Sequence, residues 1–370
     1  MGLPKDLSRT GSLYFDTDSS SWTDLSIPVA DFRASASLET GQCFHWKRVA
    51  PDHWLGLIDN TCVMLRSTPE TTLVKALYGE LDLTRLRVYL NLGTGMDQVS
   101  LSDMQAEWDE LAKGAAIAMP GARVLQQKPE EALISFICSA NNNLARITLI
   151  LDRLREQCGT SIGKLPEDLG QEMVTEYGIH PAVRVPTHVQ DFVSRGRLCA
   201  FPTLRAVADL GEGQLKGLGL GYRAKYVATT AAMLAKDESG EVLEQLRHEG
   251  RETAERELCR LPGVGPKVAA CVALYGLGFH DAIPVDVHVA RVAGRFAPPQ
   301  LARRLRGSLT PKIQKDVANL FRDRFGQYAG WAQHVIFAAE RAGLLRKWKH
   351  GSLELTWAYM SVQRLIRPLV

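Results

Sequence analysis

The spacing of apolar residues changes character near residue 100. Between Gln42 and Arg66, short apolar runs at Cys43-Phe44-His45-Trp46, Trp54-Leu55-Gly56-Leu57-Ile58 and Cys62-Val63-Met64-Leu65-Arg66 alternate with turn material at Pro51-Asp52 and Asp59-Asn60-Thr61. Runs of that length between turn residues predict a small antiparallel sheet. After Ser100 the apolar period becomes helical. Helices are predicted over Leu101 to Ala118, Pro129 to Cys138, Leu144 to Gln157, Tyr222 to Ala235 and Lys312 to Phe325, with another around Trp331. The expected fold class is α+β, a small N-terminal antiparallel β-sheet domain followed by a mainly α-helical domain.

The domain boundaries expected from this pattern are a sheet domain over 23–100 and a helical domain over 101–349. Residues 1–22, rich in Ser, Thr, Asp and Gly, read as a flexible tail. Within the helical part, residues 159–194 carry Pro166, Pro181 and Pro186 and read as a surface insertion. Residues 350–370 form a C-terminal extension in which Leu353, Trp357 and Met360, at helical spacing, suggest a last helix packed on the body.

Composition narrows the partners. A chain of 370 residues, 45% hydrophobic and 23% charged, is that of an ordinary globular protein with room for two substantial cores. The net charge is only +3, so affinity for nucleic acid has to come from local patches. Arg303, Arg304, Arg306, Lys312 and Lys315 form one basic stretch and Arg341, Arg346, Lys347 and Lys349 another, though such runs are more often solvated faces. Seven cysteines, without C-x-x-C, point to a reducing compartment with neither a disulfide framework nor a zinc ribbon. No apolar run of eighteen residues occurs, and the N-terminal acids Asp6, Asp16, Asp18 and Asp24 argue against a leader or a membrane partner.

The segment Leu261-Pro262-Gly263-Val264-Gly265-Pro266-Lys267 carries the chemistry. Its glycine pair permits a tight hairpin whose N–H groups point at an anion such as DNA phosphate. Pro266 suits the first position of a helix running to Leu277, which puts Lys267 in the first turn. The positive helix end disfavours a second cation there, and a neutral amine is a nucleophile. Asp286, in Pro284-Val285-Asp286-Val287-His288, lies within reach: a helix of about eleven residues rises about 17 Å, and seven extended residues span about 24 Å. Asp286 also suits the N-cap of a helix over Val287 to Phe296. Spacing alone leaves two readings open, a catalytic Lys–Asp pair, or a solvated lysine beside bound DNA and a simple cap.

These residues resemble the helix-hairpin-helix, Gly/Pro-Asp signature of a DNA glycosylase superfamily. Thr40-Gly41-Gln42-Cys43-Phe44-His45-Trp46, Ser135 to Ile147, Gly219-Leu220-Gly221-Tyr222-Arg223-Ala224 and Tyr328-Ala329-Gly330-Trp331-Ala332-Gln333 narrow it. Together they resemble the eukaryotic-type 8-oxoguanine DNA glycosylase/AP lyase, from about residue 25 to residue 345. The resemblance implies a helix-hairpin-helix glycosylase domain, damaged double-stranded DNA as partner, a monomer, the nucleus with a mitochondrial share left open, and no cofactor or metal. No cysteine follows Cys271, which sets aside the four-cysteine iron–sulfur cluster of the endonuclease-III-like branch.

It also implies roles. Lys267 and Asp286 are catalytic. Gly41, Cys271, Gln333 and Phe337 form the lesion base pocket, with Cys271 and Phe337 sandwiching the purine, Gln333 on its Watson–Crick edge and the Gly41 carbonyl facing N7. Asn141, Arg146 and Arg223 hold the opposite cytosine and Tyr222 wedges into the stack. Gly263, Gly265, Val268 and His288 contact DNA phosphate. On residue type alone, Cys271 and Phe337 would be ordinary core, Gly41 a turn glycine and the three asparagines a cap and turn. Pro266 departs from the family pattern, in which a residue able to donate its N–H is expected.

Overall fold

The computed structural model describes residues 22–93, 100–106, 108–164, 197–237 and 239–347. Five strands, β1 (Thr23–Asp24), β2 (Lys47–Ala50), β3 (His53–Ile58), β4 (Thr61–Ser67) and β5 (Thr72–Tyr78), form one antiparallel sheet in the order β1-β5-β4-β3-β2. The apolar runs at 54–58 and 62–66 are its central strands, with Trp54 opposite Leu65. The run Cys43–Trp46 is not a strand. Phe44 drops into the helical core while Cys43 and Trp46 join the sheet core, and pairing starts only at Lys47. β5 escaped the pattern because it carries a buried lysine, Lys75, among its apolar residues.

Both faces of the sheet are covered, which is why its strands read as continuous apolar runs without polar alternation. Trp54, Val63, Leu65 and Val74 pack with Phe32, Leu86 and Leu90. Leu55, Cys62 and Met64 pack on the other side with Ile162, Leu198 and Ala200. Ile162 and Leu198 come from a two-stranded antiparallel pair, β6 (Ser161–Lys164) and β7 (Arg197–Cys199), with Ser161 opposite Cys199 and Lys164 opposite Arg197. The first residues of the expected insertion are thus paired with residues 197–199, just beyond it, against the sheet. The rest of that insertion, residues 1–21, and the extension with Leu353, Trp357 and Met360 lie outside the described residues.

The helices at Pro129–Ser139, Leu144–Cys158, Arg223–Leu234, Pro311–Phe325 and Ala329–Arg341 fall within a few residues of their predicted spans. The span predicted as one helix from Leu101 to Ala118 is two, Leu101–Ala106 and Glu110–Ala118. Asp109 causes the break: its carboxylate accepts the Ala112 N–H and caps the second helix. Helices at Leu204–Leu215 and Arg251–Leu258 were not predicted. In the second, only Ala254 and Leu258 are buried, so it shows almost no apolar stripe.

Charge ties the sheet to the helices. Lys47 Nζ, on β2, pairs with Asp152 at 2.7 Å, and Glu131 receives Arg155 while lying 3.2 Å from His45 Nδ1. Burial pushes the Glu131 carboxyl up, but the Arg155 guanidinium and the His45 contact outweigh it and hold the group at about 2. Burial lowers His45 itself, so Arg155 is the cation that matters. A carboxyl depressed on folding adds stability above its unfolded value, and that stability drains away as pH falls toward the folded value. The thermal midpoint is therefore expected to fall between pH 4.5 and about 2, and Glu131→Gln is expected to flatten that slope while lowering stability near neutrality by leaving Arg155 only its longer pairing with Asp152, at 3.8 Å. Melting curves across this range check it; an unchanged acid slope in the variant would remove Glu131 from the account.

Candidate active site

One glycine-dependent contact shapes the hairpin after the Arg251–Leu258 helix. Gly263 has φ +81°, and a side-chain carbon there would stand 2.6 Å from Tyr226 Cβ. The turn can press on the Arg223–Leu234 helix only because residue 263 has no side chain, and Thr230 secures it by donating to the Pro262 carbonyl at 2.9 Å. Gly265 is the N-cap of the Pro266–Tyr275 helix, with Pro266 in its first turn and no side chain capping it. The first-turn N–H groups, Val268 among them, therefore have no intrahelical acceptor and no side-chain cap.

Lys267 is half-buried, with its Nζ 5.5 Å over the Phe136 ring. One turn along, the buried Cys271 thiol is pushed up to about 11 by burial; the Lys267 charge pulls it down, the Asp286 carboxylate pushes it up, and a hydrogen bond with Lys267 lowers it further. That thiol thus lies within the field of both Lys267 and Asp286. Asp286 is the N-cap that its sequence allowed. Its Oδ1 accepts the N–H groups of His288 and Val289, each at 2.9 Å, capping the Val287–Ala293 helix. Its Oδ2 takes no hydrogen bond from the described residues, so one oxygen organises the backbone and the other is available to the site.

Across from this pair runs the Ala329–Arg341 helix, seated closely on the 280–282 segment. A side-chain carbon at Gly330 would stand 2.5 Å from the Ala282 carbonyl, and Gly330 N donates to His280 O at 2.8 Å. The helix carries Gln333 and Phe337. Gln333 is 3% exposed, and its Oε1 has no hydrogen-bond partner among the described residues. Leaving a buried acceptor unmet costs about 1 to 3 kcal/mol, a cost that a ligand donor would remove. Phe337 is half-buried, its ring 6.2 Å from His288 and 5.9 Å from the Arg341 guanidinium. Gly41 sits in a turn at φ +84°, against Leu144 and Arg341. Cavities of about 550 Å³, lined by Thr40, Ala338 and Arg341, and about 350 Å³, lined by Gly41, Phe44 and Leu144, flank that turn, and neither is walled by Lys267 or Cys271.

The comparisons with known proteins bear on this arrangement. Residues 24–133 match the 8-oxoguanine DNA glycosylase N-terminal domain, and residues 134–301 match the HhH-GPD superfamily of base excision DNA repair proteins. The N-glycosylase/DNA lyase OGG1 of Arabidopsis thaliana is 34% identical over 346 residues, 91% of this chain and 83% of that protein. The chain belongs to the 8-oxoguanine DNA glycosylase family. The N-glycosylase/DNA lyase of Saccharomyces cerevisiae is 33% identical over 62% of this chain and 59% of its own length. Among solved structures, the Clostridium acetobutylicum 8-oxoguanine glycosylase/lyase in complex with double-stranded DNA containing cytosine opposite 8-oxoG aligns with a TM-score of 0.66 at 24% identity, covering 85% of this chain and 93% of that one. The 3-methyladenine DNA glycosylase of Archaeoglobus fulgidus aligns at 0.55 and 18% identity, covering 86% and 98%. These structural likenesses speak for the fold.

On the far side of the hairpin, the residues expected to meet the opposite cytosine divide. Tyr222, 55% exposed, donates its hydroxyl to the Ala140 carbonyl at 3.2 Å and meets Tyr226 edge-on at 6.3 Å. Asn141 is exposed with φ +48°, and Arg146 is exposed with one N–H on the Gly219 carbonyl at 3.3 Å. Arg223 is instead 5% exposed. Its guanidinium donates to the carbonyls of Ala140, Asn141 and Leu220 and lies 4.5 Å from the Tyr222 ring. Arg223 thus holds the Asn141 turn through its backbone carbonyls. Asn143, the third asparagine, caps the Leu144–Cys158 helix by accepting the Arg146 N–H.

Sequence reasoning missed a buried polar chain beneath the pocket. Thr40 Oγ1 donates to the Ser37 carbonyl at 3.1 Å and lies 3.4 Å from His334 Nε2, which the Gln42 amide nitrogen approaches at 3.3 Å, and His334 Nδ1 lies 3.1 Å from the Tyr275 hydroxyl. Burial lowers His334 to about 4, so the ring is neutral near pH 7. Tyr275 stacks on Phe136, the ring under Lys267. The chain therefore ties the Gly41 turn to the hairpin helix. No motif announces it, since Tyr275 and His334 lie 59 residues apart.

Proposed function

We propose that this chain excises 8-oxoguanine opposite cytosine from duplex DNA through a Schiff base on Lys267, and then nicks the strand by β-elimination. The observation that carries the reading is that Lys267 and Asp286 are both near enough to the Cys271 thiol to shift it, one helical turn from the Gly263–Gly265 hairpin. A glycosylase takes its base out of the stack at a cost of a few kcal/mol, and Tyr222 is placed to fill the gap while hairpin N–H groups and His288 hold the backbone. Lys267 attacks the anomeric carbon as the base leaves, and the free oxygen of Asp286 stabilises the positive charge that develops on the sugar.

Selection of the lesion follows from one hydrogen. 8-Oxoguanine carries N7–H where guanine has a lone pair, so the Gly41 carbonyl attracts the lesion and opposes the normal base. Gln333, with its unmet Oε1, receives donors from the Watson–Crick edge. Gln333→Ala is expected to weaken capture of the lesion roughly tenfold. Single-turnover excision against enzyme concentration checks it, read as a higher half-saturating concentration with little change in the limiting rate.

Borohydride trapping on duplexes carrying 8-oxoguanine opposite cytosine, 8-oxoguanine opposite adenine or an alkylated purine tests the whole proposal. A covalent adduct formed best with the first substrate supports it. Binding without an adduct makes the protein a hairpin DNA-binding module. Release of the alkylated purine alone assigns the pocket to another lesion.

A further inference from the structure

Arg341 ends the Ala329–Arg341 helix, one turn beyond Phe337. Sequence placed it only in a basic run. Its guanidinium carbon lies 5.9 Å from the centre of the Phe337 ring, and its Nη1 lies 3.8 Å from where a side-chain carbon on Gly41 would stand. It is exposed and makes neither an ion pair nor a hydrogen bond with the described residues. The Phe337 ring and the Gly41 turn of the proposed pocket thus share one cation at their common edge, with no acid paired to it among the described residues.

That edge is chemically special, on the reading of the site proposed above. If the Gly41 carbonyl marks N7 of the extruded base, the next ring atom is C8 with its extra oxygen, followed by N9, the atom bonded to the sugar. We infer that Arg341 is a further catalytic residue for base release, its guanidinium stabilising the negative charge that gathers on N9 and the C8 oxygen as the base departs. In that step the Lys267 nitrogen bonds to C1′, the C1′–N9 bond breaks with its electron pair moving to the base, and the proton lost from the Lys267 nitrogen balances the one gained at N9. An arginine stays protonated throughout, and the arriving base and DNA exclude the water that screens it in the free protein, so its field strengthens when charge develops. Guanine has no C8 oxygen to carry charge to this cation. The discrimination therefore extends from capture into the chemical step.

The test compares the unmodified chain with Arg341→Met and Arg341→Lys in single turnover. One duplex carries 8-oxoguanine opposite cytosine, and a second carries a preformed abasic site, from which no base has to leave. Arg341→Met is expected to slow base release at saturating enzyme about ten- to a hundredfold, with abasic-site cleavage changed less than about threefold. Arg341→Lys, which keeps the charge, is expected to recover most of the rate. An unchanged rate of base release overturns the inference. So does equal weakening on both duplexes with a salt dependence reduced by about one ion, which marks a phosphate contact. Loss of both activities in both variants assigns Arg341 to the fold and also overturns it. Failure of the unmodified chain to release 8-oxoguanine, with abasic-site cleavage intact, instead sinks the proposed substrate.

Discussion

Lys267→Gln is expected to give no borohydride-trapped adduct and to lower both base release and strand scission by more than about a thousandfold. An amide nitrogen has its lone pair tied up in resonance and cannot attack a sugar carbon. Glutamine is otherwise a mild replacement here. The position is half-buried in the first turn of a helix, and an amide can still face the Cys271 thiol and the Phe136 ring. Stability is expected to change by less than about 0.5 kcal/mol, and binding of a lesion duplex is expected to persist, because the hairpin backbone and His288 are untouched. Gel-resolved trapping beside a binding titration decides the matter. A persistent adduct would assign the nucleophile to another amine and overturn the mechanism.

The second large effect separates two jobs done by one carboxylate. Asp286→Asn keeps a side-chain oxygen for the His288 and Val289 N–H groups, and asparagine caps helices about as well as aspartate, so folding stability is expected to move by no more than about 0.5 kcal/mol. The negative charge disappears, and base release is expected to fall about a hundred- to a thousandfold, as on loss of a preorganised electrostatic group. Asp286→Ala should lose that activity and about 1 kcal/mol of stability as well, since the cap goes too. Melting curves and single-turnover rates on the three proteins give a two-by-two outcome. Near-wild-type base release in Asp286→Asn would reduce the residue to a cap.

The parts of the site that could be read in sequence are those whose chemistry is local. The Gly263 to Lys267 hairpin and the Asp286 cap each depend on residues within a few positions of one another, and backbone geometry fixes what such residues do. Contacts made through the folded interior could not be read. His334 meets Tyr275 and Thr40 only because the Ala329–Arg341 helix lies across the hairpin helix and the Gly41 turn. Arg223 marks the same limit: resemblance gave it a partner in DNA, and only the folded interior shows that its guanidinium also donates to the Ala140 and Asn141 carbonyls. For the fold, the central strands were plain because both faces are buried. The Cys43–Trp46 run was misread because its apolar residues serve two cores without pairing. The break at Asp109 was missed because one capping oxygen outweighs an otherwise continuous helical period.

The zipped pair β6–β7 has a consequence for how this chain tolerates change. Ser161 and Cys199 stand opposite each other, so whatever the polypeptide does after Lys164, it comes back to a fixed gate before rejoining the body. Ring closure at such a gate costs little more for a long excursion than for a short one, about 0.6 kcal/mol for each doubling of length. Closure entropy alone therefore sets only a small penalty on lengthening the connection between Lys164 and Arg197.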